Sequence, residues 1–416
     1  MNNLFKDLEA NGEKALKIIK NHALSPNDQK ILKTWGINDA ANLVGKSRQT
    51  IIDTEEKGLI PKAKTKKDTG RRFYTLEDIN LLRKFYSTLP SKPIYSSPCV
   101  ISVANFKGGV AKTTTSVHLA QYLSLKGYKV LFIDCDSQGS GTQYFGLVPD
   151  TEVKDEQTLY SALSKKSKLD DSHPTKTHWP NLDIIPANLS LYAAEFELPI
   201  KHYQDSNFNF YNILKENILC LKNKYDVVII DCPPSLGMIS TNALYASDGI
   251  IIPMPASVVE FSSTIQFFGM LNDILAKIGN KQYSFAKILV TKFDKTENSQ
   301  TLLSIYRKIY SDYICMSFIP TSEAIKKADT NMKTIYEIDQ SVVAKKTLDR
   351  VKIAFDDVNL EIENLIKEAE QALISLGYKP QESIDAVAAA LALEKEHNSL
   401  SLNDLVRLAL RNFIRE

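Results

Sequence analysis

Short apolar runs alternate with helical patterns through the middle of the chain. Six runs of four or five residues show almost no polar alternation, and they span residues 100–104, 129–133, 182–185, 227–230, 249–252 and 287–290. Parallel strands that are covered on both faces have this pattern, and helical stretches lie between most of the runs. The pattern predicts an α/β domain in which helices flank a doubly wound, mostly parallel sheet.

The chain on either side of this domain has a different character. Short helical patterns and a basic loop precede it, followed by a stretch with three prolines and four serines, a composition typical of linkers. The tail has a helical pattern from about residue 328. We therefore predict a helical arm that packs or dimerises (1–34), a small helical domain (35–86), a linker (87–98), the α/β domain (99–330) and C-terminal helices that complete this domain or a dimer (331–416).

Composition narrows the class of protein. The 416 residues include 51 Lys and Arg against 49 Asp and Glu, a formal net charge of +2, so any basic surface must be local. The five cysteines form no CxxC pair, which indicates a reducing compartment rather than a disulfide framework. No apolar run approaches the length of a membrane span, and the N-terminal residues lack the apolar core of a signal peptide. We expect a cytoplasmic protein.

A loop with two adjacent glycines follows the first apolar run and leads into a helix that opens with Lys-Thr. The glycines allow backbone N–H groups to approach phosphate oxygens, and the helix N-terminus adds a partial positive charge. Lys112 can neutralise phosphate charge, and the Thr113 hydroxyl can ligate Mg²⁺. The segment reads K-G-G-V-A-K-T and so differs from the common G-x-x-x-x-G-K-[ST] loop. The candidate nucleotide-binding residues are Lys107, Gly108, Gly109, Val110, Ala111, Lys112, Thr113 and Thr114.

Acidic residues stand at the ends of two further apolar runs. Asp134 and Asp136 follow the second run, and Asp231 follows the fourth, immediately before a Pro-Pro corner. Because the carboxyl ends of parallel strands meet at one edge of a sheet, these carboxylates should lie beside the glycine loop. Carboxylates in that position suit magnesium binding and the orientation of an attacking water.

The glycine loop resembles the deviant Walker A motif of the ParA/MinD family. The resemblance implies a P-loop NTPase-like fold, with ATP and Mg²⁺ as cofactors. It also implies that Lys107 reaches across a dimer interface to the partner's nucleotide, that Lys112 binds phosphate and that Thr113 ligates the magnesium ion.

The acidic stretches are similar to the switch I and Walker B motifs of the same family. By that resemblance Asp136 orients the attacking water, Asp134 supports the magnesium shell and Asp231 holds Mg²⁺. Ser137 stands where the family usually has proline, and a serine there would loosen that turn. The implied catalytic residues are Lys107, Lys112 and Asp136, and the implied metal ligands are Thr113, Asp134 and Asp231.

Residues 36–85 resemble a MerR-type winged helix-turn-helix. Two short helical patterns precede the corner E-K-G-L-I-P and the wing-like stretch G-R-R-F-Y-T. Between Lys46 and Arg72, nine basic residues stand against four acidic ones, a local charge of +5. The second helix would offer its side chains to a DNA groove and to phosphates. The implied DNA-binding residues are Lys46, Ser47, Arg48, Gln49, Thr50, Arg71 and Arg72.

A winged helix-turn-helix joined to a deviant Walker ATPase is similar to the large, type Ia ParA/SopA plasmid partition ATPases. The resemblance implies a slow ATPase that forms a homodimer on ATP, binds DNA non-specifically at the nucleoid and is stimulated by a ParB-type centromere-binding partner. The winged helix would bind an operator and repress the protein's own operon. The candidates for the non-specific DNA surface are Lys326, Lys327, Lys345, Lys346, Arg350 and Lys352, and a solvated helical face explains them equally well.

Two alternatives are open at this point. A MinD-like membrane-positioning ATPase needs a terminal amphipathic helix, and residues 401–416 have an apolar stripe flanked by Arg407 and Arg411. The DNA-binding module argues against that alternative, so we expect no membrane partner. A nucleotide-sensing transcriptional repressor would have a vestigial site, and the intact lysines and aspartates argue against it.

Overall fold

The computed structural model describes residues 30–90, 98–164, 167–279, 281–339 and 341–374, together with a few positions between 6 and 18. Most of the predicted arm (1–34) and all of the predicted terminal helix (401–416) lie outside the described residues.

The N-terminal module is a small helical unit with a three-stranded antiparallel sheet. Its elements are β1 (Trp35–Gly36), α1 (Ile37–Val44), α2 (Arg48–Glu56), β2 (Lys64–Thr65), β3 (Arg72–Tyr74) and α3 (Leu76–Tyr86), and the strand order is β1-β3-β2. Ser47 caps α2 by accepting the backbone N–H of Thr50, and Thr75 forms a capping box with Asp78 at the start of α3. The module thus combines a helix pair with a strand hairpin, and its assignment as a winged helix-turn-helix stays a prediction.

An eight-stranded sheet forms the centre of the α/β domain. Its strands are β4 (Cys99–Val103), β5 (Val130–Asp134), β6 (Thr175–Lys176), β7 (Leu182–Ile185), β8 (Val227–Asp231), β9 (Gly249–Pro255), β10 (Phe285–Phe293) and β11 (Ile314–Pro320). The spatial order is β11-β10-β9-β4-β8-β5-β7-β6, and every neighbouring pair is parallel except β6 with β7. The mostly parallel sheet confirms the predicted fold class.

Helices cover both faces of this sheet. They are α4 (Lys112–Lys126), α5 (Ser140–Tyr144), α6 (Pro149–Glu152), α7 (Leu159–Leu163), α8 (Ala194–Gln204), α9 (Ile213–Cys220), α10 (Met238–Ala246), α11 (Val258–Lys277), α12 (Glu297–Tyr310), α13 (Glu323–Thr330) and α14 (Lys345–Ile374). One apolar cluster joins the sheet to α4 and α14, and a second joins it to α7, α9 and α10. Burial on both faces explains why the strands read as continuous apolar runs.

Each of the six predicted runs coincides with a strand to within a few residues. The sequence did not predict β11, because this edge strand leaves Met316 exposed and its apolar pattern is interrupted. The helical tail predicted from about residue 328 is interrupted between α13 and α14. α13 ends at Thr330, Met332 adopts a left-handed backbone (φ 49°), and the Thr334 N–H bonds to the Glu337 side chain instead of continuing a helix.

The N-terminal module is joined to the α/β domain through a buried arginine. The Arg83 guanidinium, on α3, donates to the carbonyl of Leu43 at 3.0 and 3.1 Å and to the carbonyl of Leu125 at 2.8 Å. Leu43 belongs to α1, whereas Leu125 belongs to the last turn of α4. Because α4 begins at the glycine loop, this arginine connects the module to the helix that leads from the candidate site.

The long C-terminal helix α14 packs on the same chain. Glu363 accepts hydrogen bonds from Tyr122, within α4, at 3.2 Å and from Tyr128, two residues after the end of α4, at 3.1 Å. Glu361 accepts the backbone N–H groups of Met316 and Ser317 in β11. These contacts attach α14 to one face and one edge of the sheet. The predicted domain boundaries themselves stay predictions.

Candidate functional site

The glycine loop lies between β4 and the N-terminus of α4. Gly109 and Ala111 both have left-handed backbone conformations, with φ of 74° and 72°. At Gly108 an added Cβ would lie 3.9 Å from the Pro234 side chain, so the loop runs close to the Pro-Pro corner that follows β8. The backbone therefore curves around the start of α4, where N–H groups and the helix dipole favour an anion.

Two buried polar side chains hold this loop in place. Asn105 donates from its amide to the Pro253 carbonyl at 2.9 Å and accepts the Lys107 N–H at 3.1 Å. Thr291, on β10, donates its hydroxyl to the Val110 carbonyl at 3.0 Å. The loop is thus fixed to β9 and β10, the two nearest strands on one side of β4, which preorganises it for binding.

Lys112 lies inside the loop. Its side chain folds back so that Nζ donates to the Lys107 carbonyl at 2.9 Å, and only 7% of the residue is exposed. Burial lowers the pKa of Lys112, while the nearby carboxylate of Asp231 acts to raise it. A buried ammonium at the start of a helix, beside the glycine loop, is suited to bind phosphate oxygens.

The two strand-end aspartates face each other in neighbouring strands, because Asp134 of β5 is in register with Asp231 of β8. Asp134 is fully engaged: it accepts the Thr142 N–H and hydroxyl, each at 2.8 Å, and the Asp136 N–H at 3.1 Å. Asp231, in contrast, is buried and neither carboxylate oxygen has a hydrogen-bond partner. Burial raises the pKa of both aspartates, and at Asp231 the Thr113 hydroxyl and the Lys112 ammonium act in the opposite direction.

A buried carboxylate with unpaired oxygens beside a threonine hydroxyl fits a hard divalent cation. Mg²⁺ takes oxygen ligands, and one or two carboxylates together with substrate phosphates commonly hold it. Thr113 and Asp231 would hold the ion, which when bound supplies charge neutralisation on the phosphates. Asp134 instead fixes the loop that carries Asp136, so its predicted place as a metal ligand stays a prediction.

A cavity of about 710 Å³ opens over the loop. Lys112, Thr113 and Asp136 line it, together with residues at the carboxyl ends of β10 and β11, among them Lys292 and Pro320. Of the six non-glycine residues with left-handed φ in the described ranges, Ala111, Lys292 and Met332 all line this cavity. Strained backbone is concentrated at functional sites, so its position supports the cavity as the site.

Comparison with known proteins decides the family. A family model described as an AAA domain matches residues 99–285. Protein SopA from Escherichia coli strain K12 is 35% identical over 342 residues, which cover 79% of this chain and 87% of SopA. The chain belongs to the ParA/SopA family of partition ATPases. This membership confirms the resemblance found in the sequence.

Further relatives agree with the assignment. Sporulation initiation inhibitor protein Soj from Bacillus subtilis is 32% identical over 237 residues, covering 57% of this chain and 89% of Soj. A solved partition protein matches the fold with a TM-score of 0.59 at 24% identity, covering 84% of this chain and 98% of its own. A plasmid partition protein from Borrelia burgdorferi bound to AMPPNP matches with a TM-score of 0.50 at 28% identity, covering 63% and 98%.

A second family model matches the C-terminal part of the chain. A model described as the RuvA C-terminal domain matches residues 364–413, of which 375–413 lie outside the described residues. In the described ranges, none of the helices is long and apolar enough to traverse a bilayer.

Lys107, the first lysine of the glycine loop, forms an ion pair within its own chain. Lys107 Nζ lies 2.9 Å from a carboxylate oxygen of Glu260, near the start of α11, and about one third of the lysine side chain is exposed (32%). For Lys107 to act on a partner's nucleotide, as the resemblance implies, its ion pair with Glu260 must first break. That action stays a prediction.

The predicted DNA-binding residues of the N-terminal module are placed together on α2 and the wing. Lys46, Ser47, Arg48, Gln49 and Thr50 are all exposed, although the Ser47 and Thr50 hydroxyls bond to each other at 2.8 Å and Gln49 bonds to Asp53 at 2.6 Å. On the wing, Arg71 is exposed, whereas Arg72 forms an ion pair at 2.9 Å with Glu55. Arg48 and Arg71 are exposed, and the Lys46 ammonium lies over the Tyr86 ring, 5.6 Å from its centre.

The candidates for a non-specific DNA surface fall into two groups. Lys326 lines the nucleotide cavity and pairs with Glu323 at 2.8 Å, and Lys327 donates to the Val342 carbonyl. The others lie on α14, where Lys345, Lys346 and Arg350 are exposed along one stretch. The basic stretch on α14 is thus separate from the cavity rim.

Sequence reasoning missed several residues that support the site. They are Asn105 and Thr291, which hold the glycine loop, Thr142, which holds Asp134, and Glu260, which pairs with Lys107. Asn105 stands two residues before the first lysine of the motif, so its position in the sequence offered a signal. The other three meet their partners only through the fold, and no local pattern marks them.

Proposed function

We propose that this chain binds ATP with Mg²⁺, hydrolyses ATP slowly and uses the nucleotide cycle to control its binding to DNA. The observation that carries the proposal is the buried carboxylate of Asp231, whose oxygens have no hydrogen-bond partner and which lies beside Lys112 and Thr113 of the cavity lining. Leaving two buried carboxylate oxygens without partners costs about 1–3 kcal/mol or more, so the arrangement calls for a cationic ligand.

Hydrolysis needs an oriented water in addition to phosphate and metal binding. Asp136 lines the cavity, and its own N–H is bonded to Asp134, so the position of its backbone is fixed by the loop. The catalytic set is small, which supports a slow reaction. In the proposed cycle an ATP-bound homodimer brings Lys107 of each chain to the partner's nucleotide.

Two DNA-binding activities follow in the proposed function. The exposed side chains of α2 and Arg71 read an operator and repress the chain's own operon. The basic stretch on α14, Lys345, Lys346 and Arg350, binds DNA phosphates without sequence preference in the ATP state. A ParB-type partner stimulates hydrolysis and so releases the DNA, which segregates plasmids at the nucleoid.

The separation of the two DNA activities can be tested with paired variants. Lys46→Ala with Arg48→Ala should weaken binding to the duplex upstream of the chain's own gene by at least about tenfold, since specific base contacts contribute about 1–3 kcal/mol each. ATP-dependent binding to a scrambled duplex should persist. The double variant with Lys345→Ala and Lys346→Ala should weaken ATP-dependent binding to the scrambled duplex and keep binding to the duplex upstream of the gene. Its affinity for the scrambled duplex should also depend less on salt concentration.

Fluorescence anisotropy with both duplexes, with and without ATP and Mg²⁺, measures these effects. Adding a ParB-type partner should raise ATP turnover in the wild type and in the α2 variant alike. If either variant loses both activities together while remaining folded, the division of labour between α2 and α14 is wrong.

A further inference from the structure

Lys30 is a buried lysine that the nucleotide site and the DNA-binding module leave unexplained. Only 5% of its side chain is exposed. Its ammonium donates to the Tyr144 carbonyl and to the Met332 carbonyl, and it lies 3.9 Å from a carboxylate oxygen of Glu337. Its aliphatic stem lies over Gly146, where an added Cβ would meet it at 3.4 Å. An ammonium has three donors, and this pocket offers three acceptors.

Two of these three acceptors belong to the wall of the nucleotide cavity. Tyr144 and Met332 both line it. Tyr144 ends α5, the helix that follows the Asp136 loop, and its hydroxyl bonds to Asp329 of α13. Met332 follows α13 and has a left-handed backbone. Lys30 therefore joins the side of the cavity next to the Asp136 loop to the side next to α13.

The third acceptor belongs to a buried polar network that reaches α4. Glu337 accepts from His178 at 2.6 Å, from the Thr334 N–H at 3.0 Å and from Gln121 of α4 at 3.1 Å. Burial alone would raise the pKa of Glu337, but the hydrogen bond from His178 and the charge of Lys30 lower it to about 2. Glu337 thus stays ionised and compensates the buried ammonium.

Lys30 also has a fixed position relative to the N-terminal module, because five residues later the chain enters β1 at Trp35. Trp35 is buried and pairs with Tyr74 of β3. The segment 30–34 is therefore held at one end by the cavity wall and at the other by the sheet of the module. A shift of Tyr144 or Met332 in the cavity wall would therefore move Lys30, which holds one end of this segment.

We propose that Lys30 is a positioning residue of the nucleotide site, which holds the two sides of the cavity together and links nucleotide occupancy to the seating of segment 30–34. The inference rests on the proposed binding of ATP in this cavity. Linkage between two equilibria is reciprocal. If the nucleotide binds more tightly when Lys30 holds the Tyr144 and Met332 sides of the cavity together, then loss of the lysine must weaken nucleotide binding.

The first test separates binding from chemistry. Lys30→Met keeps the length of the stem and removes the donors, so KM for ATP should rise by about tenfold while kcat changes by less than about twofold, as expected for loss of a charge-assisted contact made in ground and transition states alike. Lys30→Arg should recover part of the loss because it can still donate to both carbonyls. Lys33→Met is the matched control, since Lys33 lies on the same segment, is exposed and does not line the nucleotide cavity.

The second test uses the wild-type full-length chain. Acetylation of lysines by N-hydroxysuccinimide acetate, read by mass spectrometry, should slow at Lys30 by at least about fivefold when AMPPNP and Mg²⁺ are added, whereas Lys33 should be unaffected. This measurement decides the question even if Lys30→Met fails to fold. If AMPPNP binds and the labelling of Lys30 is unchanged, the inference is overturned while the proposed nucleotide site stands. Absence of AMPPNP binding would overturn the proposed nucleotide site as well.

Discussion

Ala111 occupies a backbone conformation that alanine rarely adopts. Its φ of 72° lies in the left-handed region, directly before α4, at the position where the common phosphate loop has its second glycine. No side-chain hydrogen bond caps the helix there. The strain is of the order of 1 kcal/mol for a residue with a Cβ, and the hydrogen bond from Thr291 to the neighbouring Val110 carbonyl helps to hold it.

Ala111→Gly should therefore leave the free energy of unfolding unchanged or raise it by up to about 1 kcal/mol, because relief of the strain offsets the added flexibility of the unfolded chain. The same substitution at Ala120, buried in the middle of α4, should lower it by about 1 kcal/mol or more. Urea denaturation of both variants measures the difference. Equal destabilisation by the two substitutions would contradict the strained conformation at Ala111.

Asp231 differs from Ala111 in that burial, not backbone strain, destabilises it: its carboxylate oxygens have no hydrogen-bond partner. Asp231→Asn should raise the stability of the nucleotide-free protein by about 1 kcal/mol, because it removes a buried charge whose desolvation no hydrogen bond offsets. The added stabilisation by ATP and Mg²⁺ should be lost in the same variant. Thermal unfolding with and without ATP and Mg²⁺ measures both effects.

Asp183 of β7 provides the control for that substitution. It is equally buried, but it accepts from Lys176 Nζ at 2.8 Å and from the Tyr225 hydroxyl at 2.7 Å. Asp183→Asn should therefore destabilise the protein and preserve the response to ATP and Mg²⁺. If the two variants change stability in the same direction, the account of Asp231 as an open ligand fails.

At the level of secondary structure elements, α4 connects the nucleotide loop to the N-terminal module. Lys112 and Thr113 begin this helix, and the carbonyl of Leu125 in its last turn accepts from Arg83. Burial lowers the pKa of Arg83 to about 10, so the guanidinium is charged at neutral pH. A rigid helix with one end in each site provides a physical connection between them.

Arg83→Met should destabilise the protein by about 2–4 kcal/mol, because it leaves the carbonyls of Leu43 and Leu125 without their donor. Lys84→Met, at the neighbouring exposed position, should change stability by less than about 0.5 kcal/mol. Differential scanning calorimetry is the appropriate measurement, since loss of the contact should also separate the unfolding of the module from that of the α/β domain. A single unshifted transition in Arg83→Met would count against this role.

The elements also show what the sequence could and could not predict. The buried strands β4, β5 and β8 were predictable because both of their faces are covered and their residues are continuously apolar. Edge strand β11 was not, because solvent on one side breaks the pattern. Lys107, Lys112 and Asp231 were recognisable from motifs that chemistry constrains, whereas Lys30 and Glu260 act through contacts that only the fold creates.

For the whole molecule, a net charge of +2 conceals an unequal distribution of charge. The stretch from residue 46 to 72 carries +5, and Lys46, Arg48 and Arg71 are exposed there. In the α/β domain, the cavity is lined by charges of both signs, Lys112, Lys292 and Lys326 together with Asp136 and Asp329. The N-terminal module and the nucleotide domain thus have electrostatic properties suited to different ligands, nucleic acid and magnesium nucleotide.

The central claim is that occupation of the Lys112 loop by ATP controls DNA binding. The most direct measurement is binding of a scrambled duplex to the full-length chain and to Lys112→Gln, with and without ATP and Mg²⁺, followed by fluorescence anisotropy. The wild type should bind this duplex tightly only with ATP and Mg²⁺. Lys112→Gln should show no ATP-dependent binding, while its N-terminal module stays folded and still binds the duplex upstream of its gene. ATP-dependent binding by Lys112→Gln equal to that of the wild type would contradict the account.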